Sequence, residues 1–286
     1  MSFGPSPWRQ VHWDARAAGN FVCGGAGAGL IVFAALSGAS GATLTWLVFA
    51  GLALVGIGLS CVWFEIGRPL RALNVFINPR TSWMSREALT ATLLFPAGLA
   101  AAAGVSGWQW VAAALALAFV YCQGRMLQAA KGIPAWREPL ITPLVLVSGL
   151  AEGAGWFFFT APLHGVGTPL TLAILAVLVV GRIVLWFVYR GKLSGVAAPG
   201  ASAALDRTGR VLQVAGTLIP LGLLVVIGVA SVQDAIELFT AIAGLAVALS
   251  GAHMKYTIVV RAGFNQGFSL AHLPVRGVRS VKTRTA

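Results

Sequence analysis

The chain has 286 residues, of which 58% are apolar and only 10% charged, with a net charge of +12 and a mean hydropathy of +0.84. Soluble domains carry roughly a quarter charged residues, so this composition excludes a soluble globular domain and points to an all-α integral membrane protein. The basic residues are spread over many connections along the chain, which argues against a nucleic-acid-binding role.

In chain order, residues 1–16 are polar and lack the short apolar run of a signal peptide, so no cleaved leader is expected. Apolar stretches follow at about 18–38, 43–64, 88–106, 108–127, 140–162, 168–189, 211–231 and 236–260, each near the ~20 residues that cross a bilayer. They predict eight transmembrane helices in a single membrane domain, followed by a basic tail, 261–286. Only Ser106-Gly107 separates the third and fourth spans, which predicts a tight helical hairpin. Cys23, Cys61 and Cys122 fall in or near three different spans without Cys-x-x-Cys spacing. Neither structural disulfides nor iron–sulfur ligation is expected from them.

The basic residues set the orientation. Arg182 and Lys255 lie inside spans; the other 18 of the 20 fall before the first span, in alternate connections or in the tail. By the positive-inside rule both termini and the three long loops are expected in the cytoplasm, which makes this a multi-pass protein of the cytoplasmic (inner) membrane. The same charge can meet anionic membrane lipid or an acidic cytoplasmic partner.

Polar residues inside or beside spans are costly unless they have a role. Asp14, Asn20, Glu65 and Glu87 lie at the cytoplasmic ends of the first three spans. Tyr121, Gln123 and Arg125 occupy the inner half of the fourth, Arg182 that of the sixth, and His253 and Lys255 that of the eighth. Their shared depth predicts a polar pocket open to the cytoplasmic side. Arg125 and Lys255 also fit snorkelling to the interface, and Glu152, near mid-membrane, fits a buried ion pair with Arg182. His253 is the only histidine within a span, so no haem is expected, Met126 being the single candidate for a mixed ligand set. No metal site is expected either.

The stretch from Glu65 to Glu87 is the most distinctive. It closes a helix with Gly67 and Pro69, crosses the cytoplasmic face with Arg68, Arg71, Arg80 and Arg86, and is expected to restart a helix at Ser85. Glu65, Gly67, Pro69, Arg71, Ala72, Asn74, Ser85 and Glu87 give it a pattern that resembles the DmsC and NrfD-like membrane anchor subunits of molybdenum oxidoreductases. The glycine-rich first helix and the eight spans agree with the resemblance over nearly the whole chain. Where the dimethyl sulfoxide reductase anchors have a histidine, this chain has Glu65.

The resemblance implies an anchor with no cofactor of its own. It would hold a ferredoxin-like iron–sulfur subunit and a molybdopterin catalytic subunit on the cytoplasmic side, and pass electrons between the iron–sulfur subunit and a membrane quinone (menaquinone or ubiquinone). It makes Glu65 the expected proton-exchanging residue, with Asn20, Arg71, Asn74, Glu87, Tyr121 and His253 as further quinone-site residues. Arg68, Arg71, Arg80 and Arg86 are the expected docking residues. With Trp13-Asp14-x-Arg16 and the Gly263–Arg276 tail, the chain is most similar to anchors of phenylacetyl-CoA:acceptor oxidoreductases; cytoplasmic sulfite dehydrogenase anchors are the alternative. A secondary transporter is the contrasting class. It needs a site near the membrane midplane, whereas the polar residues here gather at one face.

Overall fold

The computed structural model describes residues 6–65, 69–165, 167–229 and 233–267. Among these residues all regular structure is helical, apart from one isolated bridge between Arg9 and Phe264. Eight long helices form the bundle: α1 (Ala15–Leu36), α2 (Gly41–Glu65), α3 (Trp83–Ala102), α4 (Trp108–Gln128), α5 (Ile141–Phe159), α6 (Pro169–Lys192), α7 (Pro199–Gly228) and α8 (Gln233–Tyr256). Seven of them, all but α3, are long and apolar enough to cross a membrane. The expected count of eight spans thus meets one exception. Helix α3 has 20 residues, enough for ~30 Å, but Arg86 and Glu87 in its first turns lower its hydropathy.

Two boundaries differ from expectation for local reasons. Helix α3 begins at Trp83 and not at Ser85, because Ser82 is the N-cap and its hydroxyl accepts from the Ser85 amide at 3.2 Å. Helix α7 begins at Pro199, where proline suits the first helical turn, and not near 211. Asp206, Arg207 and Arg210 therefore lie on the helix, and Asp206 pairs with Arg190 of α6 at 2.8 Å. The α3–α4 hairpin turns through Gly104 and Gly107, whose φ values of 80° and 83° suit glycine. The Val105 amide reaches back to the Ala100 carbonyl at 3.0 Å, closing α3.

Helix α1 is the axis of the bundle, packed against α2, α4 and α5, while α8 packs against α5 and α7. Without a hydrophobic gradient between lipid and protein, helices associate by close packing of small residues. Gly153 of α5 meets the backbone of Gly29 and Leu30, and a Cβ on Gly155 would lie 2.5 Å from the Gly244 carbonyl of α8. Residues 8–10 and 263–265 are clasped beside each other. Gln10 donates its amide to the Gly263 carbonyl at 2.8 Å, and Asn265 donates to the Trp8 carbonyl at 3.0 Å.

Three helices contain a π-helical turn: Asn20–Gly24 in α1, Val214–Leu218 in α7, and Thr257–Arg261 continuing α8. A wide turn leaves carbonyls off the i→i−4 ladder, and side chains from other helices take them up. Gln123 donates to the Asn20 carbonyl at 2.9 Å and Lys255 to that of Phe21 at 2.9 Å. Arg182 donates to the Gly216 carbonyl at 2.9 Å, and the Trp136 indole to that of Ile258 at 2.8 Å. The π turns thus supply the acceptors for the long polar side chains of the core.

Candidate functional site

Two adjoining cavities open between α1, α2, α3 and the 3-10 segment Pro69–Phe76. The larger, about 580 Å³, is walled mainly by apolar side chains of α2 and α3, among them Leu59, Trp63, Ala91 and Phe95, with Asn74, Phe76 and Glu87 at the 3-10 end. The smaller, about 230 Å³, is lined by Trp13, Asn20, Phe21, Glu65 and Met126, and both share Val62 and Met84 as walls.

A buried polar contact sits where the two meet. Glu87, 3% exposed, accepts a 3.0 Å hydrogen bond from the side-chain amide of Asn20, 2% exposed. The N-cap at Ser82 places Glu87 on the inward face of α3, while the π turn in α1 holds Asn20 opposite. Gln123 of α4, fully buried, fixes the Asn20 backbone from the other side. Asn20 Oδ1 and Gln123 Oε1 have no hydrogen-bond partner although both are buried.

Glu65, the last residue of α2, lines the smaller cavity with Asn20 and is half-buried. Its neighbourhood is braced by Arg16, which donates to the Phe64 carbonyl at 2.8 Å and pairs with Asp14 at 2.9 Å. Asp14 caps α1. The Arg16 guanidinium beside it holds its carboxyl below the ordinary value.

The structure therefore brings together Asn20, Glu65, Asn74 and Glu87 around the two cavities. Tyr121 lines neither of them. It is 40% exposed on the outer face of α4, with its ring edge-on to Trp83 at 5.8 Å. His253 also lies away from both cavities, within 3.3 Å of the Thr208 hydroxyl. Arg80 is exposed, and its carbonyl accepts from Arg86 at 2.7 Å. Arg71 has its backbone in the 3-10 segment, but its side chain, like the whole of Arg68, lies outside the described residues.

A second buried polar cluster corrects the expected ion pair. Glu152 pairs with Lys255 at 3.0 Å and accepts from Ser148 at 2.9 Å. Lys255 is 1% exposed and does not snorkel. Arg182 spends its donors on the Val247 carbonyl at 3.0 Å, the Gly216 carbonyl and the Ser250 hydroxyl at 3.2 Å. Gly251 makes this packing feasible, because a Cβ there would come within 2.6 Å of the Glu152 carboxylate. Spacing alone does not reveal the pairing, since it depends on the π turn that presents the Phe21 carbonyl to Lys255.

Chemically, the arrangement offers a carboxyl group in a largely apolar crevice, an amide fixed against it, and a second carboxyl nearer the helix ends. It suits a ligand with a small polar head and a long apolar body, and a proton exchanged at that head. No protein-family model matches the chain, and no curated protein matches it with significance.

Proposed function

We propose that this chain is the quinone-reactive membrane anchor of a molybdenum/iron–sulfur oxidoreductase. The observation that carries the reading is the Asn20–Glu87 hydrogen bond, whose two side chains line the two adjoining cavities. A quinone supplies two carbonyl oxygens that become hydroxyls on reduction, so its site needs hydrogen-bond donors and a group that exchanges protons. Glu87, at the 3-10 end of the larger cavity, and the Asn20 amide, in the smaller one, meet that need, and the apolar walls of the larger cavity fit an isoprenoid tail. Glu65, which lines the smaller cavity, passes protons between Glu87 and the aqueous edge in this reading.

In this reading α3 is the eighth crossing, its Arg86 and Glu87 lying at the membrane edge and not within the hydrocarbon. The clasp between residues 8–10 and 263–265 supports an even number of crossings, and the basic connections support cytoplasmic termini. The basic connection between α2 and α3 would then face an iron–sulfur subunit and a molybdopterin subunit in the cytoplasm. Phenylacetyl-CoA is the substrate class that the sequence resemblance favours for that catalytic subunit, with sulfite as the alternative. A transporter would place its site near the buried Glu152, Lys255 and Arg182, but Glu152 is paired with Lys255 and two nitrogens of Arg182 are held by backbone carbonyls, leaving its Nε unpaired.

Purification of the chain from its native membrane under mild conditions tests the reading. Two larger subunits containing iron, acid-labile sulfur and molybdenum should accompany it, and the complex, given phenylacetyl-CoA or sulfite as electron donor, should reduce a water-soluble quinone analogue. A chain that purifies alone and moves a solute across vesicles overturns it.

A further inference from the structure

The outer face of the α3–α4 hairpin carries a cationic feature that the proposed site does not use. Arg86 in the first turn of α3 and Arg125 in the last turn of α4 approach the same indole: their guanidinium carbons lie 4.1 and 4.6 Å from the Trp83 ring centroid. Arg125 is also 5.9 Å from the Tyr121 ring and donates to the Tyr121 hydroxyl at 3.2 Å. Arg86 is fixed by two backbone carbonyls, Nε to Pro79 at 2.8 Å and Nη2 to Arg80 at 2.7 Å. Two cations are thereby held around one aromatic ring.

Neither has an acidic partner. Among the described residues the ion pairs are Arg16–Asp14, Arg190–Asp206 and Lys255–Glu152. Glu87, adjacent to Arg86 in sequence, turns inward to Asn20. Arg125 uses one Nη on the Tyr121 hydroxyl, which leaves its other Nη for an anion at the surface. Cation–π contact with Trp83 offsets part of the repulsion between the arginines, but a pair of guanidinium groups with donors to spare calls for an anion.

The neighbouring surface says which kind. On α4 the exposed side chains run Val111, Leu117 and Tyr121 down to Arg125, and on α3 they run Leu93 and Leu89 to Arg86. Each face passes from aliphatic to charged, with Trp83 and Tyr121 at the boundary, as a helix does on leaving hydrocarbon for the headgroup layer. A soluble acidic protein has no use for the aliphatic stripe below the arginines, whereas an acyl chain does.

We propose that Arg86, Arg125 and Trp83 form a binding site for one anionic phospholipid, its phosphate taken by the two guanidinium groups and its acyl chains lying along the stripe. Guanidinium forks match phosphate oxygens bidentately. The proposal rests on α3 and α4 being a transmembrane hairpin, part of the reading above, but not on the quinone chemistry.

The test uses the full chain, delipidated in neutral detergent, with phosphatidylglycerol, phosphatidylcholine and inorganic phosphate as probes. Native mass spectrometry should show one tightly retained phosphatidylglycerol, and thermal melting should rise with that lipid but with neither other probe. Arg86→Gln/Arg125→Gln should weaken retention by roughly tenfold or more per arginine, as expected for hydrogen bonds to a charged group. Arg137→Gln, on another connection, should leave it unchanged. Should the double variant fail to fold, Arg125→Lys keeps the charge but not the fork and should retain the lipid more weakly. Equal stabilisation by inorganic phosphate overturns the proposal in favour of a free-anion site. Unchanged lipid retention in folded variants that lose their partner subunits overturns it in favour of protein docking. If a cysteine at Gly104 is labelled from the same face as one at Arg80, the hairpin reading itself has failed.

Discussion

Asn20 and Glu87, 67 positions apart in sequence, meet in a buried 3.0 Å hydrogen bond between the π turn of α1 and the first turns of α3. The contact depends on two departures from regular helix: the wide turn that positions Asn20, and the Ser82 cap that sets the rotation of α3. It makes Glu87, and not Glu65, the carboxyl that lines the larger cavity.

Substituting that carboxyl gives the most direct test. Glu87→Gln keeps the size of the side chain and an acceptor for Asn20, so assembly and activity with an artificial dye should be intact. Quinone-coupled turnover should fall by about 10²–10⁴, the usual contribution of a positioned acid or base. Glu65→Gln should cause a smaller fall, because Glu65 is half-exposed and a water can take over its part. Parallel dye and quinone assays on the purified complex measure both, and unchanged quinone turnover in Glu87→Gln sinks the assignment.

Topology is testable independently. Reporters placed after Lys192 and after Ala286 should both read cytoplasmic, and a cysteine at Gly104, in the α3–α4 turn, should be labelled from the opposite face. A cytoplasmic Gly104 would remove α3 from the set of crossings. It would also leave the quinone reading without its membrane depth.

Much of this arrangement was legible in the sequence. Apolar stretches in the sequence fall on all eight long helices, seven of which are long and apolar enough to cross a membrane, because lipid-facing helices must be apolar over a bilayer's thickness. The polar residues at one depth include Asn20, Glu65 and Glu87, which the structure brings together around the two cavities. Helix rotation is harder to read. Tyr121 shares that depth but faces outward, while Gln123, two residues on, faces the core. The pairing of Lys255 with Glu152 was hidden too, since a lysine near a helix end reads equally well as snorkelling. The π turns that furnish carbonyls to Gln123, Lys255 and Arg182 leave no signature in composition or periodicity.

Close glycine packing between α1 and α5 should be intolerant of added bulk. Gly153→Ala would place a methyl group against the backbone of Gly29 and Leu30, and only separation of the two helices relieves that. Overpacking of this kind costs about 1–3 kcal/mol. Gly222→Ala, with open space around it, is the control and should leave the melting temperature in detergent unchanged.

The Glu152–Lys255 pair permits a sharper experiment, because removing one partner and removing both have opposite expectations. With Lys255→Met, Glu152 retains Ser148 but loses its ion pair in a fully buried place, and the Phe21 carbonyl loses its donor. Breaking a buried pair in this way costs about 3–5 kcal/mol, most of it from the charge left behind. Glu152→Gln/Lys255→Met removes both charges and keeps the volumes close, so it should recover part of that loss, the remainder reflecting in part the buried Arg182, which Glu152 also attracts. The Phe21 carbonyl stays unpaired in the double variant, which sets a residual cost of about 1–3 kcal/mol. Thermal melting of the three proteins in one detergent gives the comparison. If the double variant is no more stable than Lys255→Met, the charge of Glu152 is not what Lys255 serves, and its bond to the π turn of α1 is the contact that holds α8 in place.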